Sequence, residues 1–315
     1  MIYFTLKTGI AGFGDQIVSH YIILYKIGIG IGLNYVQSPF KSYHLTEQIE
    51  NDINEFFGFF NNVDDIRNEK FKEIPKVNIN ILDYLQKYET YEDIRKSLYN
   101  KYKDKDVILE LNKCYGFHTH INNEVKKKKK VNANYPFKEN FKSAQKFRNN
   151  FSVKSPFKKH KKNTTRIIVH IRLGDTALID LGKKKWCPLV HEELFDNFDD
   201  IQHPRKIKGK DFDNLFKEIK SEMENIKGDY EMVVVSDGYT NSPVVNKYLE
   251  DNNINKKQFY DKLYDDMFDK YKKYNPTFII GKSHNNFFQT VLGFIEANIL
   301  VSSSMGFPSN VRRFI

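Results

Sequence analysis

The ten residues RIIVHIRLGD, Arg166 to Asp175, constrain this chain more than any others. Ile167, Ile168, Val169 and Ile171 form a short apolar run, which reads as a buried strand. The run ends in Arg172, Gly174 and Asp175, none of them core residues. Open α/β sheets bind ligands outside the carboxyl ends of their strands, where such groups are delivered. The planar guanidinium of Arg172 suits a phosphate, which it bonds bidentately while keeping its charge. Taken alone, the segment fits equally a strand whose exit carries an Arg–Asp pair on the surface.

The residues that follow repeat the pattern. Phe212, Leu215, Phe216, Ile219, Met223 and Ile226 recur at helical spacing, with Asp211 as cap and Gly228 as stop. Met232 to Val235 reads as a strand ending at Ser236-Asp237-Gly238, and Val244 to Leu249 as a short helix. Phe278 to Ile280 is a strand ending at Gly281, followed by a buried helix through Phe287, Phe288, Val291, Leu292, Phe294 and Ile295. Ile299 to Val301 is a strand ending at Ser302-Ser303-Ser304. Alternating strands and helices imply a parallel sheet with helices on both faces. One edge of that sheet would then gather Arg172, Asp175, Asp237, Gly281 to His284, and Ser302 to Ser304.

The N-terminus reads as a βαβ unit. Ile2 to Leu6 is a strand, Gly9, Gly12 and Gly14 punctuate a loop, and Gln16 to Ile27 is a buried helix. Gly28, Gly30 and Gly32 end that helix, and Leu33 to Val36 is a second strand. The glycine loop stands where backbone N–H groups face an anion, although its spacing is not the dinucleotide fingerprint. Residues 45–120 are less regular: Phe56, Phe57, Phe59 and Phe60 read as core, Ile94 to Tyr102 as helix, and Val107 to Leu111 as helix or strand. His118 and His120 have no evident third ligand, so a metal role is not assigned to them. Residues 121–163 are polar and lysine-rich and read as an interdomain linker or long loop. The reading divides the chain into a domain over 1–120, the linker, and a domain over 164–315.

The net charge of +10 suits an anionic ligand, a membrane surface or nucleic acid without choosing among them. Much of it lies in the run Lys126 to Lys130 and in the lysines around His160, blocks that read as solvated linker before nucleic-acid patch. Two cysteines, Cys114 and Cys187, make no disulfide framework and fit a reducing compartment. No signal peptide is evident and no stretch reaches the roughly 18 apolar residues of a membrane span. A cytoplasmic location follows as an expectation.

Four segments in order resemble one family. HIRLGD resembles the His-x-Arg motif of the GDP-fucose-dependent fucosyltransferases of the α1,2, α1,6 and protein-O types. GFGDQ resembles their N-terminal glycine loop, Ser236-Asp237 the Ser/Thr-Asp that ends an intermediate strand, and ANILVSSSMGF, Ala297 to Phe307, their C-terminal serine segment. The resemblance covers residues 1–37 and 166–307. It implies a GT-B fold, with two Rossmann-like domains facing across a cleft, the donor GDP-fucose bound by the second, and a glycan or protein acceptor bound largely by the first. It further implies that Arg172 holds the β-phosphate, that His170 shapes the same strand end, and that Ser302, Ser303 and Ser304 bond phosphate oxygens. Asp237 would contact the nucleoside or brace the site. Gly12, Gly14 and Asp15 would face the transferred sugar, Asp15 as candidate base or as helix cap. Asp175 belongs to the donor site as well.

Three positions depart from the family. Leu173 stands where many members carry a second Arg, Asn298 stands where a guanine-reading Asp is expected, and the chain stops eight residues after Phe307. Metal-dependent transfer competes through Asp211 and Asp213, but these open an amphipathic helix, where carboxylates favour the dipole. No metal or other cofactor is therefore expected. Trp186, Cys187 and His191 follow the RIIVHIRLGD strand and read as packing before ligand contact. The alternatives are a degenerate GT-B protein that binds nucleotide or glycan without turnover, and a basic module binding nucleic acid through its lysine blocks.

Overall fold

The structure, a computed structural model, describes residues 1–8, 16–42, 45–112, 124–125, 127–128, 136–158, 163–171, 178–180, 185–187, 209–237, 249–281, 283–302 and 311. The chain divides into two compact units, one over Met1–Phe151 and one beginning at Ser152. Each contains a main sheet in which every strand pairing is parallel.

In the first unit, β1 (Ile2–Leu6) precedes a helix that begins with π spacing, α1 (Ile17–Leu24), and continues as α2 (Tyr25–Ile31). The sequence reading ended this helix at Gly28; it runs through Ile31, and Gly32 stops it with a φ of 82°. Gly28 serves packing instead: a Cβ there would lie 2.4 Å from the Phe4 ring of β1. There follow β2 (Asn34–Gln37), α3 (Glu47–Phe57), β3 (Asp64–Asp65), α4 (Glu69–Lys72), β4 (Lys76–Asn80), α5 (Ile81–Lys87), α6 (Tyr91–Lys101) and β5 (Val107–Asn112). The sheet order is β3-β2-β1-β5-β4. Val107 to Leu111, readable from sequence as helix or strand, is thus a strand, paired with β1 on one side and β4 on the other.

Two short helices, α7 (Phe137–Ser143) and α8 (Gln145–Asn150), complete the first unit. The sequence reading placed them in a linker. Their aromatic residues explain the difference, because the Phe141 and Phe151 rings lie against Phe56 of α3. Of the aromatic cluster expected as core, Phe56, Phe57 and Phe59 are fully buried and Phe60 is half-buried.

In the second unit, residues 152–158 also leave the expected linker: Phe157 is buried and Ser155 Oγ donates to Glu296 at 2.6 Å. The elements are β6 (Thr165–His170), β7 (Leu178–Asp180), β8 (Lys185–Cys187), α9 (Gly209–Asn225), β9 (Tyr230–Ser236), α10 (Lys256–Lys272), β10 (Thr277–Ile280), α11 (His284–Glu296) and β11 (Ile299–Ser302). β7 and β8 form an antiparallel pair. The main sheet has the order β10-β9-β6-β11.

One face of that sheet, carrying Ile167, Val169, Met232, Val234 and Val301, packs against Leu215 and Ile219 of α9 and Phe268 and Tyr271 of α10. The other face meets α11, where a Cβ on Gly293 would lie 2.5 Å from Ile168 Cδ1. Helices therefore cover both faces, which is why β6 carries apolar residues without alternation. α9 begins at Gly209, so Asp211 sits in its first turn and not at the cap. Of the helix expected over Val244 to Leu249, only Leu249 is described; it is helical and buried.

Candidate functional site

The chain passes from β6 to its neighbour β9 and outward to β10, then returns past β6 to place β11 on the other side. The strand order thus reverses between β6 and β11. At such a point the connections leave in opposite directions, and a crevice opens outside the carboxyl ends.

Two side chains meet there. His170 closes β6 and Ser302 closes β11, in register with each other. Their side chains are joined: His170 Nδ1 and Ser302 Oγ are 2.9 Å apart. His170 is only 6% exposed. Its ring and that of Phe294 on α11 meet in a T-shaped contact, with centroids 5.5 Å apart and planes at 86°. The imidazole is thus held by a wall of α11 on one side and by a hydroxyl on the other. Ser302 is partly exposed and forms the outer member of the pair.

The neighbouring strands bring further polar groups to the same edge. β9 ends in buried Ser236, and half-buried Asp237 follows it. After β10 the chain turns at Gly281, whose φ of 104° favours glycine. Its N–H donates to Ser236 O at 3.0 Å, tying the two strand ends together. Asn286 Nδ2 donates to Ile280 O at 2.8 Å and to Gly281 O at 3.3 Å. Ser283 Oγ accepts from Asn286 N and caps α11, whose amino end stands at this edge. The role of Asn286 was missed from sequence; its signal is the Ser-x-x-Asn spacing at the head of α11.

Of the candidate residues, the structure brings His170, Ser302 and Asp237 to one sheet edge. Arg172, Asp175, Gly12, Gly14, Asp15, Ser303, Ser304, His118, His120, Cys114 and His191 lie outside the described residues. Trp186 and Cys187 belong to β8, and Asp211 and Asp213 to α9. Asn298 is placed apart from the others. It stands just before β11, four residues from Ser302, at the amino end of the sheet. Four strand steps of about 3.3 Å separate the two by roughly 13 Å. Its Oδ1 accepts from the Arg166 backbone N–H at 2.8 Å, and its own N–H donates to Arg166 O at 2.8 Å. The side chain thereby clips the start of β11 to β6.

Gln16, at the end of the glycine loop, is fully buried, and its Nε2 donates to Lys41 O at 2.7 Å. Among the described residues, no group of three or more His, Cys, Asp or Glu is placed to hold a metal ion. Among them also, no helix is long and apolar enough to cross a membrane.

Chemically, the edge offers a hydroxyl, an imidazole, a carboxylate and the amino end of a helix. Groups of these types are able to hydrogen-bond an oxygen-rich ligand, and a helix amino end favours negative charge. No protein-family model matches this chain, and no curated protein matches it.

Proposed function

We propose that the second unit binds the diphosphate of a nucleotide sugar at the β6–β11 crevice, and that the chain is a metal-independent glycosyltransferase. The observation that carries this reading is the His170–Ser302 hydrogen bond across the point where strand order reverses. A diphosphate in the crevice would meet Ser302 directly, with Arg172, two residues beyond His170, supplying the charge. GDP-fucose is the donor that the family resemblance favours, transferred to a glycan or protein acceptor in a GT-B arrangement of the two units.

The chemistry asks mainly for geometry and charge. As the sugar–phosphate bond breaks, negative charge grows on the leaving diphosphate. Groups fixed toward that oxygen stabilise the transition state more than the ground state. Arg172 and Ser302 to Ser304 take that role, and His170 positions Ser302. Asp15 is the candidate base for the acceptor proton. Asn298 is left out of base recognition, because its carboxamide oxygen is engaged at the opposite end of β11.

The test is a calorimetric titration of GDP, UDP and ADP, followed by GDP release from GDP-fucose in excess EDTA. Saturable binding of GDP and turnover that persists in EDTA are expected. If none of the three diphosphates binds, the reading fails. If EDTA stops turnover and Mg²⁺ or Mn²⁺ restores it, the metal-independent mechanism fails.

A further inference from the structure

The positive charge of this chain is concentrated in one stretch. Residues 121–163 hold 14 lysines and arginines against 2 acids, Glu124 and Glu139, hence +12. The whole chain sums to +10, so all the residues outside this stretch together carry −2. From sequence the stretch reads as linker, but the fold gives its middle part a fixed shape.

That part is α7 and α8, seated on α3. The Phe141 ring lies 6.2 Å from Phe56 and 5.9 Å from Phe57, and the Phe151 ring lies 5.5 Å from Phe56. The backbones approach as closely. Gly58 ends α3 with a φ of 65°, and a Cβ there would lie 2.5 Å from Asn140 O. Asn61 Nδ2 donates to Ser143 Oγ at 2.6 Å, and Ser143 Oγ donates to Asn140 O at 2.7 Å. The apolar side of the helix pair is thus engaged in the core of the first unit, and its other side is turned to solvent.

The solvent side is basic. Lys138 and Lys142 stand one turn apart on α7, Lys146 lies in α8, and all three are exposed. Among the described residues, no acid pairs with any of the three. Glu139 is the single acid among six cations over residues 136–158. The run Lys126 to Lys130 is tied to the fold as well. Lys127 pairs with Glu124 at 2.7 Å, and buried Lys128 donates to Tyr88 O and Glu89 O at the end of α5.

The chemistry of this surface selects its partner. A single exposed ion pair contributes little, so the partner has to present many negative charges at once. Single-stranded nucleic acid is held by bases stacked on aromatic rings. Here Phe141 and Phe151 are buried and Phe147 is half-buried. Nucleic-acid phosphates and base edges are read by arginine forks. The arginine of this surface, Arg148, lies 3.5 Å from the centre of the Phe141 ring and donates through Nη1 to Phe56 O at 3.1 Å. It is committed to the fold. What remains is an array of lysine ammoniums on a preformed surface. Anionic phospholipid headgroups suit it, because they supply a continuous sheet of charge and ask for neither fork nor ring.

We infer that the outward side of α7 and α8 docks the first unit on an anionic membrane surface, through Lys138, Lys142 and Lys146 and without insertion of apolar side chains. The attraction is electrostatic and does not depend on the nucleotide reading.

The test uses the full chain without nucleotide, floated with phosphatidylcholine vesicles that contain either no phosphatidylserine or roughly one third of it. At about 0.1 M salt the wild type should float with the phosphatidylserine vesicles alone, and at about 1 M it should be released. Joint Lys138→Gln, Lys142→Gln and Lys146→Gln should lower the partition about a hundredfold, at about fivefold per lysine. Joint Lys217→Gln, Lys220→Gln and Lys227→Gln, at exposed positions of the second unit, removes the same charge and should lower it less than about threefold. Thermal unfolding of both variants confirms that they are folded. The inference is overturned if the wild type ignores phosphatidylserine or stays bound at high salt. It is overturned equally if the first variant falls less than about tenfold, or if the second falls as far as the first. A duplex oligonucleotide that binds more tightly per phosphate than the vesicles do per phosphatidylserine also overturns it, since the partner would then be nucleic acid.

Discussion

Gly293→Ala tests how α11 is seated on the strand that ends in His170. A Cβ at position 293 would lie 2.5 Å from Ile168 Cδ1 and 3.2 Å from Pro156 Cγ. Ile168 is fully buried, so its terminal methyl moves only by displacing other core atoms. Overpacking of this kind costs about 1–3 kcal/mol. Opposing it, Ala is the better helix former by about 1 kcal/mol. The two effects leave Gly293→Ala destabilised by about 0–2 kcal/mol, where propensity alone would stabilise it.

Ile168→Val separates the effects, because valine lacks the Cδ1 atom that collides. Alone it should cost about 0.5–1.5 kcal/mol. Combined with Gly293→Ala it should cost less than the sum of the two single changes, with a favourable coupling of about 1 kcal/mol. Trp186 is the single tryptophan of the chain and belongs to the second unit, so urea unfolding followed by its fluorescence reports that unit. A lifted α11 also carries Phe294 away from His170, and GDP affinity should fall in Gly293→Ala and recover in the double variant. The packing argument is refuted if Gly293→Ala gains the full 1 kcal/mol or so of helix propensity and shows no coupling to Ile168→Val.

Three further outcomes follow from the site. Arg172→Ala should weaken GDP binding by about 1.5–3 kcal/mol, the worth of a charge-assisted hydrogen bond; unchanged affinity in calorimetry removes Arg172 from the site. Ser302→Ala should weaken GDP binding by about 0.5–1.5 kcal/mol and lower stability as well, since it takes a hydrogen-bond partner from His170; equal GDP affinity in both proteins means the crevice holds no phosphate at that strand end. Asn298→Asp keeps an acceptor for the Arg166 N–H and should leave the ratio of GDP to UDP affinity unchanged, whereas a selective gain for GDP would return this position to base recognition.

Much of the second unit was legible because its strands are buried on both faces. Ile167 to Ile171, Met232 to Val235 and Ile299 to Val301 have no polar alternation, and each stops at a polar residue, so strand type and strand end were both marked. Their parallel pairing then placed His170, Asp237 and Ser302 on one edge. The contact between His170 and Ser302 was not legible, because it depends on strand order, and no local pattern encodes which strand lies beside β6. Asn298 shows the same limit from the other side. Its place in a motif near three serines suggested a shared site, but along a strand four residues span the whole depth of the sheet. The first unit was harder for a different reason. VILELN alternates only in its carboxyl half, KVNIN alternates throughout, and the helices between them are short. That partial alternation is itself the signal of a sheet face that turns from core to polar surface. In the sequence it blurred the choice between helix and strand at Val107 to Leu111, which the fold resolves as β5.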